Sequence, residues 1–213
     1  MKRIFGTIVL FIVVNLANAQ SDKYTSAMSK QIATMENGYQ NGDFTPAANS
    51  FERIAQAEKE QWLPYYYAAY CYVMQAYMDK DNSKKDAIAD KADSLIRRAE
   101  VLAGGENSEI CVIKSMIASA HMMVDPQSRW MQYGPASSAQ IEKAKQLDPT
   151  NPRPVYLEAQ SKFYTPEQFG GGKSVAAPLF EKSIAMFDTF QPKSSLHPTW
   201  GKRAAEYFLA QCK

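Results

Sequence analysis

Apolar side chains recur along most of the chain at a spacing near 3.6 residues, the period of an α-helix with one buried face. Between Ser83 and Gly104 the positions Ile88, Ala92, Leu95, Ile96, Ala99 and Leu102 fall on one such stripe. Asn82 or Ser83 is expected to cap that helix and Gly104-Gly105 to end it. A second stripe, Ile110, Ile113, Ile117 and Ala120, stops near Asp125-Pro126. No run alternates apolar and polar residues strictly, so strands are not expected.

Within the helical period a shorter pattern repeats. A small residue is followed four places on by a bulky one and, three places later, by another small or apolar one. The chain offers Ala47, Phe51, Ile54; Ala92, Ile96, Ala99; Ser137, Ile141, Ala144; and Ala176, Phe180, Ser183. The small residue lets two helices approach closely and the bulky one fills the gap between them. Gly42-Asp43-Phe44 precedes the first triplet where an inter-helix turn is expected. Tyr65, Ala68, Ala69 and Tyr72 supply the partner helix of the second. In order and punctuation, above all at Asp148-Pro149-Thr150-Asn151-Pro152 and Thr165-Pro166-Glu167-Gln168-Phe169-Gly170-Gly171-Gly172-Lys173, the chain resembles the tetratricopeptide repeat family. It is similar in particular to the small exported repeat proteins of Bacteroidota. The resemblance implies an all-α fold, a right-handed superhelical array of about four helical hairpins with a C-terminal capping helix. It also implies a tendency to bind proteins in a concave groove, with no catalysis attached.

The spacing departs from that family. Phe51 to Ile96 and Ile96 to Ile141 are 45 residues each and Ile141 to Phe180 is 39, against about 34 in a standard unit. The surplus falls around Asp79 to Lys85, Asp125 to Pro135 and Thr165 to Lys173. The first partly lengthens a helix. The other two are expected to be enlarged loops on one edge, where Arg129, Trp130 and Tyr133 either form a binding patch or pin the loop to the array. After Pro192, Leu196-His197-Pro198 breaks the preceding helix, and Trp200, Ala204, Tyr207 and Phe208 suit a terminal cap.

The first residues have the pattern of an export signal. Met1-Lys2-Arg3 is basic, Ile4 to Leu16 is almost wholly apolar, and Ala17-Asn18-Ala19 is a small-x-small cleavage site. Two parts follow, a signal peptide over 1–19 and a helical repeat domain over 20–213. The expected location is periplasmic or secreted, with no stable membrane span after cleavage. Of 24 Lys+Arg and 22 Asp+Glu, Lys2 and Arg3 leave with the signal, so the mature chain carries 22 of each. A nucleic-acid partner is therefore not expected, for lack of a basic footprint.

Candidate chemistry is sparse. Cys71, Cys111 and Cys212 are too few and scattered for a disulfide framework or a zinc site, although a pair could oxidise after export. His121 and His197 have no Cys, Asp or Glu at a ligand spacing, so no metal site, cofactor or catalytic residue is expected. Gly170-Gly171-Gly172-Lys173-Ser174 lacks both the leading glycine and the strand of a phosphate loop. It reads as a turn, with Ser174 capping the next helix and Pro178 in its first turn. The strongest positive signal is a tyrosine stripe: Tyr66, Tyr70, Val73 and Tyr77, joined in the same register by Tyr39, Tyr156, Gln160 and Phe163. The resemblance places that stripe in the groove, whereas packing would place it in the core. The expected function is a monomeric scaffold for an unidentified protein or peptide. The alternative is a periplasmic small-ligand carrier with an apolar pocket in a helical array.

Overall fold

The computed structural model describes side chains from Asp22 to Lys213. The expected signal peptide and its cleavage site lie outside the described residues. The helices are α1 (Lys2–Asn41), α2 (Thr45–Ala57), α3 (Trp62–Met78), α4 (Asn82–Leu102), α5 (Ser108–Met122), α6 (Pro126–Leu147), α7 (Pro152–Tyr164), α8 (Lys173–Thr189) and α9 (Lys202–Cys212). No strand occurs among the described residues. Sequential helices pack as hairpins α1/α2, α3/α4, α5/α6 and α7/α8, and α9 packs on α8. The first helices of successive hairpins also touch, α3 against α5 and α5 against α7, and these form the inner face.

The repeated triplets hold the second helix of each hairpin in place. Eleven of their twelve residues are buried, and Ile54 is half-buried. Fully burying a side chain such as Phe51, Ile96 or Phe180 contributes roughly 1.5–3 kcal/mol. Tight turns join the helices where short polar side chains can cap them. Asp81, Asn107, Asp125 and Asn151 each accept a backbone N–H from the first turn that follows.

Two expected turns resolve differently. The residues from Asp125 to Pro135 are not a loop. Asp125 caps and Pro126 opens a helix that continues through Pro135, making α6 22 residues long. At Thr165 to Lys173 the expected loop is present, around a 3-10 turn over Glu167–Phe169. Its glycines serve close backbone packing. A Cβ on Gly171 would stand 2.2 Å from the Thr165 carbonyl oxygen, and Gly172 has φ +98°. Gly172, not Ser174, is the N-cap of α8, and Pro178 lies inside the helix beyond its first turn.

The tail also departs from a simple end cap. Between α8 and α9, residues 190–201 run across the inner face against α3 and the start of α7. Leu196 and Trp200 are buried there, whereas Tyr207 on α9 is 62% exposed. The tail covers the middle of the α3 face.

Candidate functional site

The inner face is built on α3. Trp62, Tyr66, Tyr70 and Tyr77 fall on one side of this helix, because positions four and seven apart share a face. Tyr66 and Tyr70 are fully buried, while Tyr65 and Tyr72 are only half-buried. Tyr72 turns to α2 and donates to Glu52 Oε1 at 2.7 Å. The stripe expected to line an open groove is therefore core in its middle, and its cover is the chain's own tail. Trp200 lies 4.5 Å from Tyr70 between ring centroids, and its indole N–H donates to the Tyr66 hydroxyl at 2.9 Å.

A buried polar network clamps that tail. Tyr66 donates to Glu109 Oε2 at 2.9 Å, and Arg153 pairs with Glu109 Oε1 at 2.9 Å. Arg153 is completely buried and also donates to the Pro198 carbonyl. Its guanidinium lies 5.1 Å from the Phe190 ring and 5.3 Å from the Trp200 ring. Asn151 caps α7 through its side-chain oxygen and donates to Glu109 through its amide at 2.7 Å. Tyr67 donates to the Leu196 carbonyl at 2.9 Å. None of Glu109, Arg153 or Trp200 stood out as functional in the sequence. The one local signal was an arginine between Pro152 and Pro154 at a helix start, where a long charged side chain has little reason to be.

The other stripe residues meet at the far end of the same face. The Tyr39 and Tyr70 hydroxyls are hydrogen-bonded to each other, Tyr77 donates to the Met116 carbonyl at 2.8 Å, and Gln160 donates to the Tyr156 hydroxyl at 3.3 Å. Tyr39, on the last turn of α1, is the open member at 38% exposed. Burial pushes its phenol up to about 12 and those of Tyr66, Tyr70, Tyr77 and Tyr156 well above the ordinary value. These groups are hydrogen-bonding phenols, not phenolates. Along α7 and α9 the aromatic surface continues through Phe163, Tyr164 and Phe208. Phe163 and Phe208 are 5.3 Å apart, and Tyr164 is 69% exposed. Arg203 on α9 approaches Glu36 on α1 at 3.6 Å, so the first and last helices meet beside this face.

Arg129, Trp130 and Tyr133 lie elsewhere, on the first half of α6. Arg129 pairs with Asp86 at 2.7 Å and Tyr133 stacks on His121 at 5.2 Å, while Trp130 is 57% exposed. Two of the three thus pin α6 to α4 and α5. An open cleft of about 410 Å³ at the end of α8, lined by Pro149, Thr150, Met186, Thr189, Phe190 and Gln191, contains no charged side chain. All three cysteines are free thiols, with Cys71 and Cys111 buried. No cluster of three or more His, Cys, Asp or Glu suited to a metal ion occurs among the described residues. None of the described helices is long and apolar enough to cross a membrane.

No family model and no curated protein matches the chain. Among solved structures it is similar to the HusA haemophore from Porphyromonas gingivalis, with 38% sequence identity and a TM-score of 0.79 over 89% of this chain and 92% of that one. That neighbour is an all-helical protein of a Bacteroidota and a binding protein, not an enzyme. It overturns the expectation of a scaffold for a protein or peptide, because a haemophore is a carrier of a small ligand. The aromatic stripe had suggested a peptide groove, yet its central rings are covered by the tail. On this identity and coverage, the chain belongs to the family of the HusA haemophore.

Proposed function

We propose that the chain is an exported, non-catalytic carrier of a flat, largely apolar macrocycle of the haem class. The observation that carries this reading is the 38% identity to a haemophore over 89% of this chain. The inner face supports it chemically. Its exposed and half-buried aromatic side chains lie at its two ends, Trp62 at one and Tyr39, Phe163 and Tyr164 at the other. Such rings stack on a planar ligand, and phenol or amide groups such as Gln160 hydrogen-bond at its rim. Lys193 stands near His197 at the Trp62 end, and Lys162, bonded to the Gly170 carbonyl, stands beside Phe163 at the other, where either can meet a porphyrin carboxylate. Tyr39 and Gln160 are the stripe residues proposed to meet the ligand, whereas the buried Tyr66, Tyr70 and Tyr156 support the floor. The tetratricopeptide-like superhelix is the architecture proposed for the array. It is supported by the side-by-side packing of α3, α5 and α7. The apolar start of the chain supports export and cleavage after Ala19.

The test is a spectroscopic titration of the mature chain, residues 20–213, with haemin and separately with iron-free protoporphyrin IX. Saturable binding of one equivalent of haemin, with a shifted Soret band and quenching of tryptophan fluorescence, is expected. A featureless linear response to both would overturn the carrier reading.

A further inference from the structure

The mouth at the Tyr39 end is framed by the first and last helices of the chain together with α7. Glu36 and Tyr39 stand three apart on α1 and share a face, as Arg203 and Tyr207 do four apart on α9. The Tyr164 phenol feels that of Tyr207, and the buried Tyr156 phenol feels those of Tyr39, Tyr77 and Tyr164. These hydroxyls, from α1, α3, α7 and α9, therefore lie within electrostatic range of one another. Such a mouth offers rings and neutral hydrogen-bonding groups to a flat ligand. It needs a cation as well if the ligand's rim carries carboxylates, because a charge loses much of its hydration there.

The cations near this mouth differ in how firmly they are held. Lys162 donates to the Gly170 carbonyl at 3.2 Å, and Lys202 turns to α8 and pairs with Asp188 at 2.5 Å. Arg203 is held neither by packing nor by a close bond. Its side chain is 90% exposed, and its partner Glu36, 50% exposed, stands 3.6 Å away. A charge-assisted hydrogen bond is shorter, about 2.7–2.9 Å. Exposed pairs of this kind add little to stability, so exchanging the partner costs little. A guanidinium also presents a planar fork that can take both oxygens of a carboxylate at once. A carboxylate on a macrocycle already stacked against the neighbouring rings reaches that fork at high effective concentration. Glu36 occupies the place that such a group would take.

We infer that Arg203 on α9 selects the acid form of the macrocycle, taking one ligand carboxylate in exchange for Glu36. The inference rests on the haem-carrier reading and deepens it by naming the side chain that recognises the ligand's rim. The exchange is between ion pairs only, so it can be followed with an iron-free ligand.

The test compares the mature wild-type chain with Arg203→Ala, Arg203→Lys and Glu36→Gln. Each is titrated with protoporphyrin IX and with its dimethyl ester, both added from dimethyl sulfoxide and followed by tryptophan quenching. Wild type is expected to bind the diacid more tightly than the diester. Arg203→Ala should lose about tenfold for the diacid and nothing for the diester. Arg203→Lys should retain part of the preference, since an ammonium keeps the charge without the fork. Glu36→Gln should gain about threefold for the diacid, because the competing carboxylate is gone. Unchanged diacid affinity in a helical Arg203→Ala would overturn the assignment and leave the carrier reading standing. An equal loss for diacid and diester would also overturn it, since Arg203 would then act only by shaping the mouth. A weaker diacid complex in Glu36→Gln would overturn the exchange. Failure of the wild type to bind either porphyrin or haemin would remove the carrier reading and this inference together.

Discussion

Two charged networks tie helices together in this molecule, and they differ in what surrounds them. On the inner face, Arg153, Glu109, Asn151, Tyr66 and Trp200 join α3, α5, α7 and the tail. Arg153 is fully buried and the Glu109 side chain is 12% exposed. On the outer side, Asp86, His121, Arg129 and Tyr133 join α4, α5 and α6, and the Asp86 side chain is 39% exposed. Geometry is equally good in both, with ion-pair distances of 2.9 and 2.7 Å. Water is the difference. Removing one partner inside strands a charge that cannot rehydrate, whereas outside the survivor returns to solvent. The same bond type therefore fixes the tail in one place and trims helix packing in the other.

The largest expected effect comes from Arg153→Ala. It leaves Glu109 without its cation and releases the Pro198 carbonyl, and the expected cost is about 3–5 kcal/mol in urea unfolding followed by circular dichroism. A cost below about 1 kcal/mol would mean that water reaches Glu109, and the contrast between the two networks would disappear. Tyr66→Phe is a finer probe. The ring stays, but the hydroxyl that accepts from Trp200 and donates to Glu109 is lost, so about 1–3 kcal/mol is expected. Because Trp200 loses its partner, its fluorescence should shift as well. Loss of stability with an unchanged tryptophan spectrum would place the tail's anchor elsewhere.

What could be read from the sequence follows from the range of each interaction. The triplets Ala47-Phe51-Ile54 to Ala176-Phe180-Ser183 are local, set by helical period and packing size, and they lie where expected. Proline and glycine punctuation located most turns but misled at Asp125 to Pro135. A capped Asp-Pro start can open a helix as well as close one. The tail's path was not legible. Trp200 meets Tyr66 across 134 residues, and Arg153 meets Pro198 across 45, with no periodic signal to join them. An aromatic stripe on a helix reads the same whether a ligand or a later segment of the chain covers it.

The smallest expected effect lies outside, and pH exposes it best. The Arg129 guanidinium, and after it His121, hold the Asp86 carboxyl down at about 2, below its ordinary value of 3.8. A carboxylate whose folded value is depressed stabilises the protein above its unfolded value. That contribution is lost as pH falls from about 4 through about 2. With so much of the side chain in water, screening leaves only a small fraction of what the shift alone suggests. Arg129→Ala should therefore lower the melting midpoint at neutral pH by about 2 °C at most. It should also flatten the part of the wild-type acid limb between about pH 4 and 2 that belongs to Asp86. Melting curves of both chains across that range check it. A loss at neutral pH as large as that of Arg153→Ala would show that the outer network is shielded from water, and that exposure is not what separates the two.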